Sequence, residues 1–213
     1  MSDDHELREV WCQLWQRLAD RRLLGTPHAS LSLRIPGTDD MWFGCSPEAP
    51  VRITWRLHQN ANDQAMRLHA RAYGQREDAG AVLIGAGDFG RCLLDWGARM
   101  PQVFDEQARH LGPMPAAQSD RVDTAATWPR TGNVCYVQGQ ILCVGMTARR
   151  LALNAELFEK CAKAHVLAIA AGGQVKPLPW WVRWIANRRL RSDQKRARAR
   201  LAQGLLAEEA QGY

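Results

Sequence analysis

The run Gly85-Ala86-Gly87-Asp88-Phe89-Gly90, inside "AVLIGAGDFGRCLLDWG" (81–97), has the G-x-G-x-x-G spacing of a dinucleotide-binding turn. Glycines at those positions allow a tight bend and close approach of backbone N–H groups to a pyrophosphate, and a helix N-terminus completes the anion site. An acidic residue about twenty positions further on takes the ribose hydroxyls in such folds, and Asp105 and Glu106 stand near that distance. Other chemistry is thinly provided. The six histidines (His5, His28, His58, His69, His110, His165) include no H-x-H, and the six cysteines (Cys12, Cys45, Cys92, Cys135, Cys143, Cys161) include no C-x-x-C, so no metal set stands at a recognisable spacing. There is no G-x-S-x-G elbow and no P-loop. Asp88 either binds a polar ligand or caps the helix that follows, with the cap preferred. A site drawn from His28, His58 and Asp88 is the minor alternative. His69 and His165 read as packed on helix faces with one hydrogen-bond partner each.

The elements that would hold such a turn do not continue as a dinucleotide fold. Apolar positions Leu7, Val10, Trp11, Leu14, Trp15 and Leu18 recur at helical spacing, predicting a helix over 3–24 stopped by Gly25 and Pro27. "SLSLRI" (30–35) alternates as a strand does, "PGTDD" is hairpin-turn chemistry and "MWFGC" is the partner strand. "VRITWRLH" (51–58) predicts another strand, and "NDQAMRLHARAYGQRED" a helix with Met66, His69, Ala70 and Tyr73 on one face. A strand at "AVLIG" and a helix from Phe89 to Trp96 come next, then a short helical unit between prolines (101–115) and a polar stretch over 118–133. "NVCYVQGQILCVGM" reads as two strands around a Gly turn. The longest confident helix runs from an N-cap at Thr147 to Gly172-Gly173. Hairpins before the glycines and only one strand pair after them argue against a doubly wound parallel sheet.

Composition narrows the class. The chain has 213 residues, 46% of them hydrophobic and 23% charged, as in an ordinary folded domain. No apolar run approaches a membrane span, the first residues lack a signal-peptide layout, and a cytoplasmic protein with no membrane partner is expected. The cysteines read as reduced and mostly buried. Nine tryptophans are many; core or subunit packing is the expected role of Trp11, Trp15, Trp180, Trp181 and Trp184. The net charge of +6 is concentrated in "RWIANRRLRSDQKRARAR" (183–200). That segment fits a solvated helix, an anionic surface or nucleic acid, of which the first is preferred and nucleic acid is not expected.

The order of elements, together with "LADRRLLGTPHASLSLRIPG", "LHARAYGQREDAGAVLI", "CLLDWGARMPQVFDEQARHLGPMP" and "NVCYVQGQILCVGMTARRLALNAELFEKCAKAHVLAIAAGG", resembles the class II aldolase/adducin family over roughly residues 5–175. The resemblance implies an α/β fold with a central, mainly antiparallel sheet flanked by helices. It would comprise a domain over 1–175 and a basic Trp/Arg-rich helical extension of that domain over 176–213.

What the resemblance implies about chemistry is a loss. Family enzymes hold a divalent metal, usually zinc, through a His-x-His pair at the end of the central strand and a third His in a turn, where the metal stabilises an enediolate. Carried onto this chain, those ligands fall on Ile84, Ala86 and Gln138, and the catalytic Glu falls near Ala65. Ser30 stands where sugar-phosphate members have an Asn, while Ser32 and Arg34 are retained. Hydrocarbon side chains have no ligand atom and a carboxamide is a poor imidazole substitute. Neither catalytic residues nor a cofactor are therefore expected. Ser30, Ser32, Ile84, Ala86, Asp88 and Gln138 mark a degenerate cleft for a small polar metabolite. The expected role is a binding or interaction module in a homo-oligomer, a tetramer by resemblance, whose tail covers a neighbouring subunit. The alternative is a divergent aldolase, epimerase or decarboxylase for a small sugar-phosphate-like or hydroxy-acid substrate, which would take zinc or another divalent metal.

Overall fold

The computed structural model describes residues 2–46, 48, 50–97, 100–114 and 131–209; most of the polar stretch at 118–133 lies outside them. In chain order the helices are α1 (Ser2–Asp20), α2 (Gln64–Gln75), α3 (Asp88–Asp95), α4 (Ala148–Ala170) and α5 (Trp180–Ala202). The strands are β1 (Ser30–Arg34), β2 (Asp40–Gly44), β3 (Val51–Thr54), β4 (Ala81–Ile84), β5 (Val134–Val137) and β6 (Gln140–Gly145). They form one six-stranded sheet in the order β3-β2-β1-β4-β6-β5. Every neighbouring pair is antiparallel, which excludes the parallel dinucleotide fold.

Period-two alternation divides the core between the two faces of this sheet. Leu31, Leu33, Ala81, Leu83, Ile141 and Cys143 point to the side covered by α1, α3 and α4, where Trp11, Leu18, Phe158 and Cys161 meet them. Met41, Phe43, Val82, Ile84, Leu142 and Val144 point to the other side, against Leu68, Tyr73 and Trp55. Because β4 is covered on both faces, all four of its residues are buried, and "AVLI" needs no polar alternation. α5 packs Ala186, Leu190, Ala197 and Leu201 inward. It is pinned where Arg109 meets Asp193 and where Gln194 donates to Thr131 O at 3.0 Å.

Two local expectations change. α1 ends at Asp20, four residues before the predicted stop, because Arg22 adopts a left-handed φ of 57°. The bonds Leu23 N to Leu18 O and Arg22 N to Ala19 O then close the helix in a Schellman motif, built without glycine. The strand predicted over 51–58 stops at Thr54, since its partner Asp40 is the first residue of β2 and the ladder has no more rungs. The chain turns instead into one 3-10 turn (Trp55–His58) that buries Trp55. The helical unit between prolines is a short π-helical turn, Gln107–Leu111. Of the cysteines, Cys135, Cys143 and Cys161 are buried, but Cys12 and Cys45 are exposed, so the thiols are less uniformly buried than expected.

Candidate functional site

Three loops converge beyond one end of the central strands. The α1–β1 connection supplies Thr26, Pro27 and His28. The first turns of α3 supply Asp88, Arg91 and Cys92, and the β5–β6 hairpin supplies Gly139 and Gln140. Together they line an open groove of about 570 Å³. Arg91 ties two walls together: one guanidinium nitrogen donates to Gly25 O at 3.0 Å and the other to Asp88 Oδ1 at 2.7 Å. The groove thus offers exposed hydrogen-bonding groups of both charges, as a small polyhydroxylated or carboxylated molecule would require.

The "GAGDFG" turn forms one wall, and its glycines have a packing explanation. Gly87 is the N-cap of α3, and the free N–H groups of Phe89 and Gly90 donate to Glu159 of α4 at 2.7 and 3.0 Å. A carboxylate from the same chain therefore occupies the place at the helix N-terminus that a pyrophosphate would take. A Cβ on Gly87 would lie 2.5 Å from Glu159 Oε1, and one on Gly90 would lie 2.7 Å from the Phe158 ring. Two of the three motif glycines are thus required by α4. Gly85 has a φ of 155° and passes so close to the α1–β1 loop that a Cβ would stand 2.7 Å from Leu23 O. Asp88, for which capping was expected, lies inside the first turn with an 80% exposed side chain and makes no cap hydrogen bond. Removing the carboxylate by Glu159→Ala strands two N–H groups, and the expected loss is about 1–3 kcal/mol in urea unfolding. An unchanged midpoint would show that Glu159 does not hold the turn.

The remaining expected site positions are dispersed. Ile84 is fully buried at the end of β4 and Ala86 is 2% exposed in the core. Ala65, near which the resemblance placed the catalytic Glu, is buried in α2. Gln138 adopts a φ of 50° and Gly139 one of 73° in a two-residue hairpin loop closed by the Val137–Gln140 pair. The Gln138 carbonyl accepts from Gln64 Nε2 at 3.1 Å and its side-chain oxygen from Arg67 at 3.4 Å, so α2 pins the turn. Gln138 stands beside the groove rather than in its lining.

Ser30 and Ser32 are fully buried between β1 and α2. Their hydroxyls take both nitrogens of His69: Ser30 Oγ to Nε2 at 2.9 Å and Ser32 Oγ to Nδ1 at 2.7 Å. Ser32 Oγ also lies 2.9 Å from the Tyr73 hydroxyl. His69 therefore has two side-chain partners, where one was expected. Burial pushes its pKa down to about 3, against the smaller opposing effect of hydrogen bonding at Ser30, so the ring is neutral. Burial likewise raises the Tyr73 phenol well above its usual value. Arg34, on the same strand, spreads its guanidinium 4.8 Å from the Tyr73 ring and donates to Tyr73 O at 2.8 Å. This network is polar but closed, with its serines satisfied by the fold itself.

The residues at the positions that the resemblance assigns to the metal ligands do not fit a metal. Ile84 and Ala86 have no donor side-chain atom, and the Gln138 side-chain oxygen already accepts from Arg67 of α2 at 3.4 Å. Among the described residues, no group of three His, Cys, Asp or Glu side chains is arranged to hold an ion. Two features that shape the groove escaped the sequence: Arg91, whose bonds to Gly25 and Asp88 join distant segments, and Glu159, a helix cap supplied from 69 and 70 positions away.

No family model matches the chain, and no curated protein matches its sequence. Solved structures do match its shape. L-fuculose 1-phosphate aldolase from Glaciozyma antarctica is 17% identical, with 95% of this chain covering 92% of that one at a TM-score of 0.68. YgbL from Klebsiella pneumoniae is 15% identical, with 85% of this chain covering 98% of that one, also at 0.68. An aldolase II superfamily protein from Pseudomonas syringae is 13% identical, with coverages of 88% and 84% and a TM-score of 0.67. Helices on both faces of a six-stranded antiparallel sheet and these matches over nearly the whole chain give one conclusion: the chain has the class II aldolase fold.

Proposed function

We propose that the chain uses the class II aldolase fold as a binding module for a small polar metabolite, without the metal-dependent carbon-carbon chemistry of aldolases. The observation that carries this reading is the chemistry at the three metal positions: two hydrocarbon side chains buried in the core and a carboxamide tied to α2. The groove at the same end of the sheet keeps His28, Asp88, Arg91 and Gln140 on its walls. These groups suit hydroxyl and carboxylate recognition. A cytoplasmic location and assembly into a homo-oligomer go with this reading.

The test is a ligand screen by isothermal titration against sugar phosphates, hydroxy acids and polyols, repeated with Arg91→Ala. Binding that survives a chelator and weakens about tenfold or more in the variant is expected, as for the loss of a charged hydrogen-bond donor. Cleavage or epimerisation of any of these compounds that depends on added zinc would overturn it. The second reading, a divergent lyase or epimerase, rests on His28 and Asp88 sharing one groove. It requires turnover that His28→Gln abolishes.

A further inference from the structure

The exposed face of α5 differs from every other surface described above. Trp180, Trp181, Trp184 and Ile185 are 72%, 54%, 56% and 42% exposed, although indoles are normally at least partly covered. Core or subunit packing was the expectation for these tryptophans, as it is the observation for Trp11 and Trp15, which are buried under the sheet. Positions 181, 184, 188, 191 and 195 follow a three-four spacing, so Trp181, Trp184, Arg188, Arg191 and Lys195 run down one side of the helix. That side lies opposite Ala186, Leu190, Ala197 and Leu201, which face the body. The apolar groups gather at the N-terminal end and the cations follow them.

Among the described residues, the cations on this face have no carboxylate to pair with. The one acidic residue of α5, Asp193, is buried and is occupied by Arg109 and Arg196. Arg198 pairs with Glu77 and Arg200 with Glu208. Arg188, Arg189, Arg191 and Lys195 are exposed and, among the described residues, have no carboxylate partner. Arg188 instead lies over the Trp184 ring at 5.5 Å. A second copy docking its own α5 here would bring the same cations, and like charges oppose that pairing. Ile185 among the indoles gives the apolar end a greasy rather than a base-stacking character, whereas single-stranded nucleic acid asks for aromatic faces along the cationic groove.

We propose that the outer face of α5 seats the protein on an anionic lipid surface, with its indoles and Ile185 at headgroup depth and Arg188, Arg191 and Lys195 on lipid phosphates and carboxylates. Tryptophan beside arginine on one helix face is the chemistry of an interfacial helix. Anionic lipids of the cytoplasmic leaflet supply the complementary charge. No described helix is long and apolar enough to cross a membrane, so the contact is with the surface. The proposal departs from the expectation of no membrane partner.

The experiment is co-sedimentation of the full chain with phosphatidylcholine vesicles, with and without about 30% phosphatidylserine. Partition onto the anionic vesicles is expected to exceed that onto neutral ones by at least about tenfold. It should fall steeply when salt rises from about 0.1 to 0.5 M. Arg191→Glu with Lys195→Glu is expected to reduce partition by about twentyfold or more, and Trp181→Ser with Trp184→Ser by a similar factor. All four side chains are exposed, so unchanged circular dichroism and unfolding midpoints will separate lost binding from lost folding. Equal partition onto both vesicles, or onto neither, overturns the proposal. So does burial of the same tryptophans by self-association, or binding of a single-stranded oligonucleotide while vesicles stay free. None of these results bears on the metal or the groove, so the proposed function is tested separately.

Discussion

Asp78→Ala is expected to lower the unfolding free energy by about 3–5 kcal/mol, the usual consequence of removing one partner of a buried ion pair. The Arg76 side chain is 3% exposed and that of Asp78 10%. Arg76 Nε and Nη2 address the two carboxylate oxygens at 2.8 and 2.7 Å, a bidentate geometry fixed in a buried site. The same guanidinium donates to Gly132 O at 2.5 Å and Asn133 Oδ1 at 2.8 Å, and Asn133 Nδ2 in turn donates to His110 O at 2.7 Å. The pair therefore ties the turn after α2 to the start of β5. Arg198→Ala provides the contrast, because its pair with Glu77 is more than half exposed on both sides and is expected to contribute at most about 1 kcal/mol. Urea unfolding of both variants decides the point. Equal losses would mean that the buried network does not anchor β5.

Acid should weaken the fold through His69. The unfolded ring titrates at its ordinary value of about 6.5, while the folded ring stays neutral down to about 3. Below pH 6.5 the unfolded state takes up a proton that the native state refuses, so stability is fully present above that pH and falls as pH drops toward 3. The slope is about 1.4 kcal/mol per pH unit, and the accumulated loss is on the order of 5 kcal/mol. His110, lowered to about 4 by burial and by Arg150 and Arg109, adds a second contribution of the same sign. His69→Gln isolates the first. The variant is expected to be less stable than the parent at pH 7, with a shallower dependence between pH 6 and 4. Parallel pH profiles would show that the buried ring does not control the acid limb.

The legibility of this chain follows the range of the interactions involved. β1, β2 and their turn could be read because alternation and "PGTDD" are local signals. The α4 N-cap was equally visible, and Thr147 accepts from Arg150 N at 3.0 Å as its position suggests. The end of β3 could not be read from Trp55 or Arg56, since it depends on where β2 begins. The end of α1 was hidden for a different reason: Arg22 adopts a conformation for which the sequence offers no glycine. At the candidate site, the absence of ligand chemistry at Ile84, Ala86 and Gln138 was visible in their residue types. The replacement contacts were not. Glu159 lies amid an ordinary amphipathic helix pattern, and only the packing of α4 beneath α3 turns it into a cap. The exposure of Trp184 was hidden in the same way, because a helical repeat shows which residues share a face but not which face the body covers.

The central claim is the proposed one, that this chain uses the class II aldolase fold without a metal site. Its most direct test is the metal content of the untagged protein purified without chelator, measured by elemental analysis before and after zinc and manganese are offered at micromolar concentration. The account predicts metal far below stoichiometric in both samples, with no gain in thermal stability on addition. Roughly one tightly held ion per chain, with the stabilisation that ion binding to a folded site must bring, would contradict it.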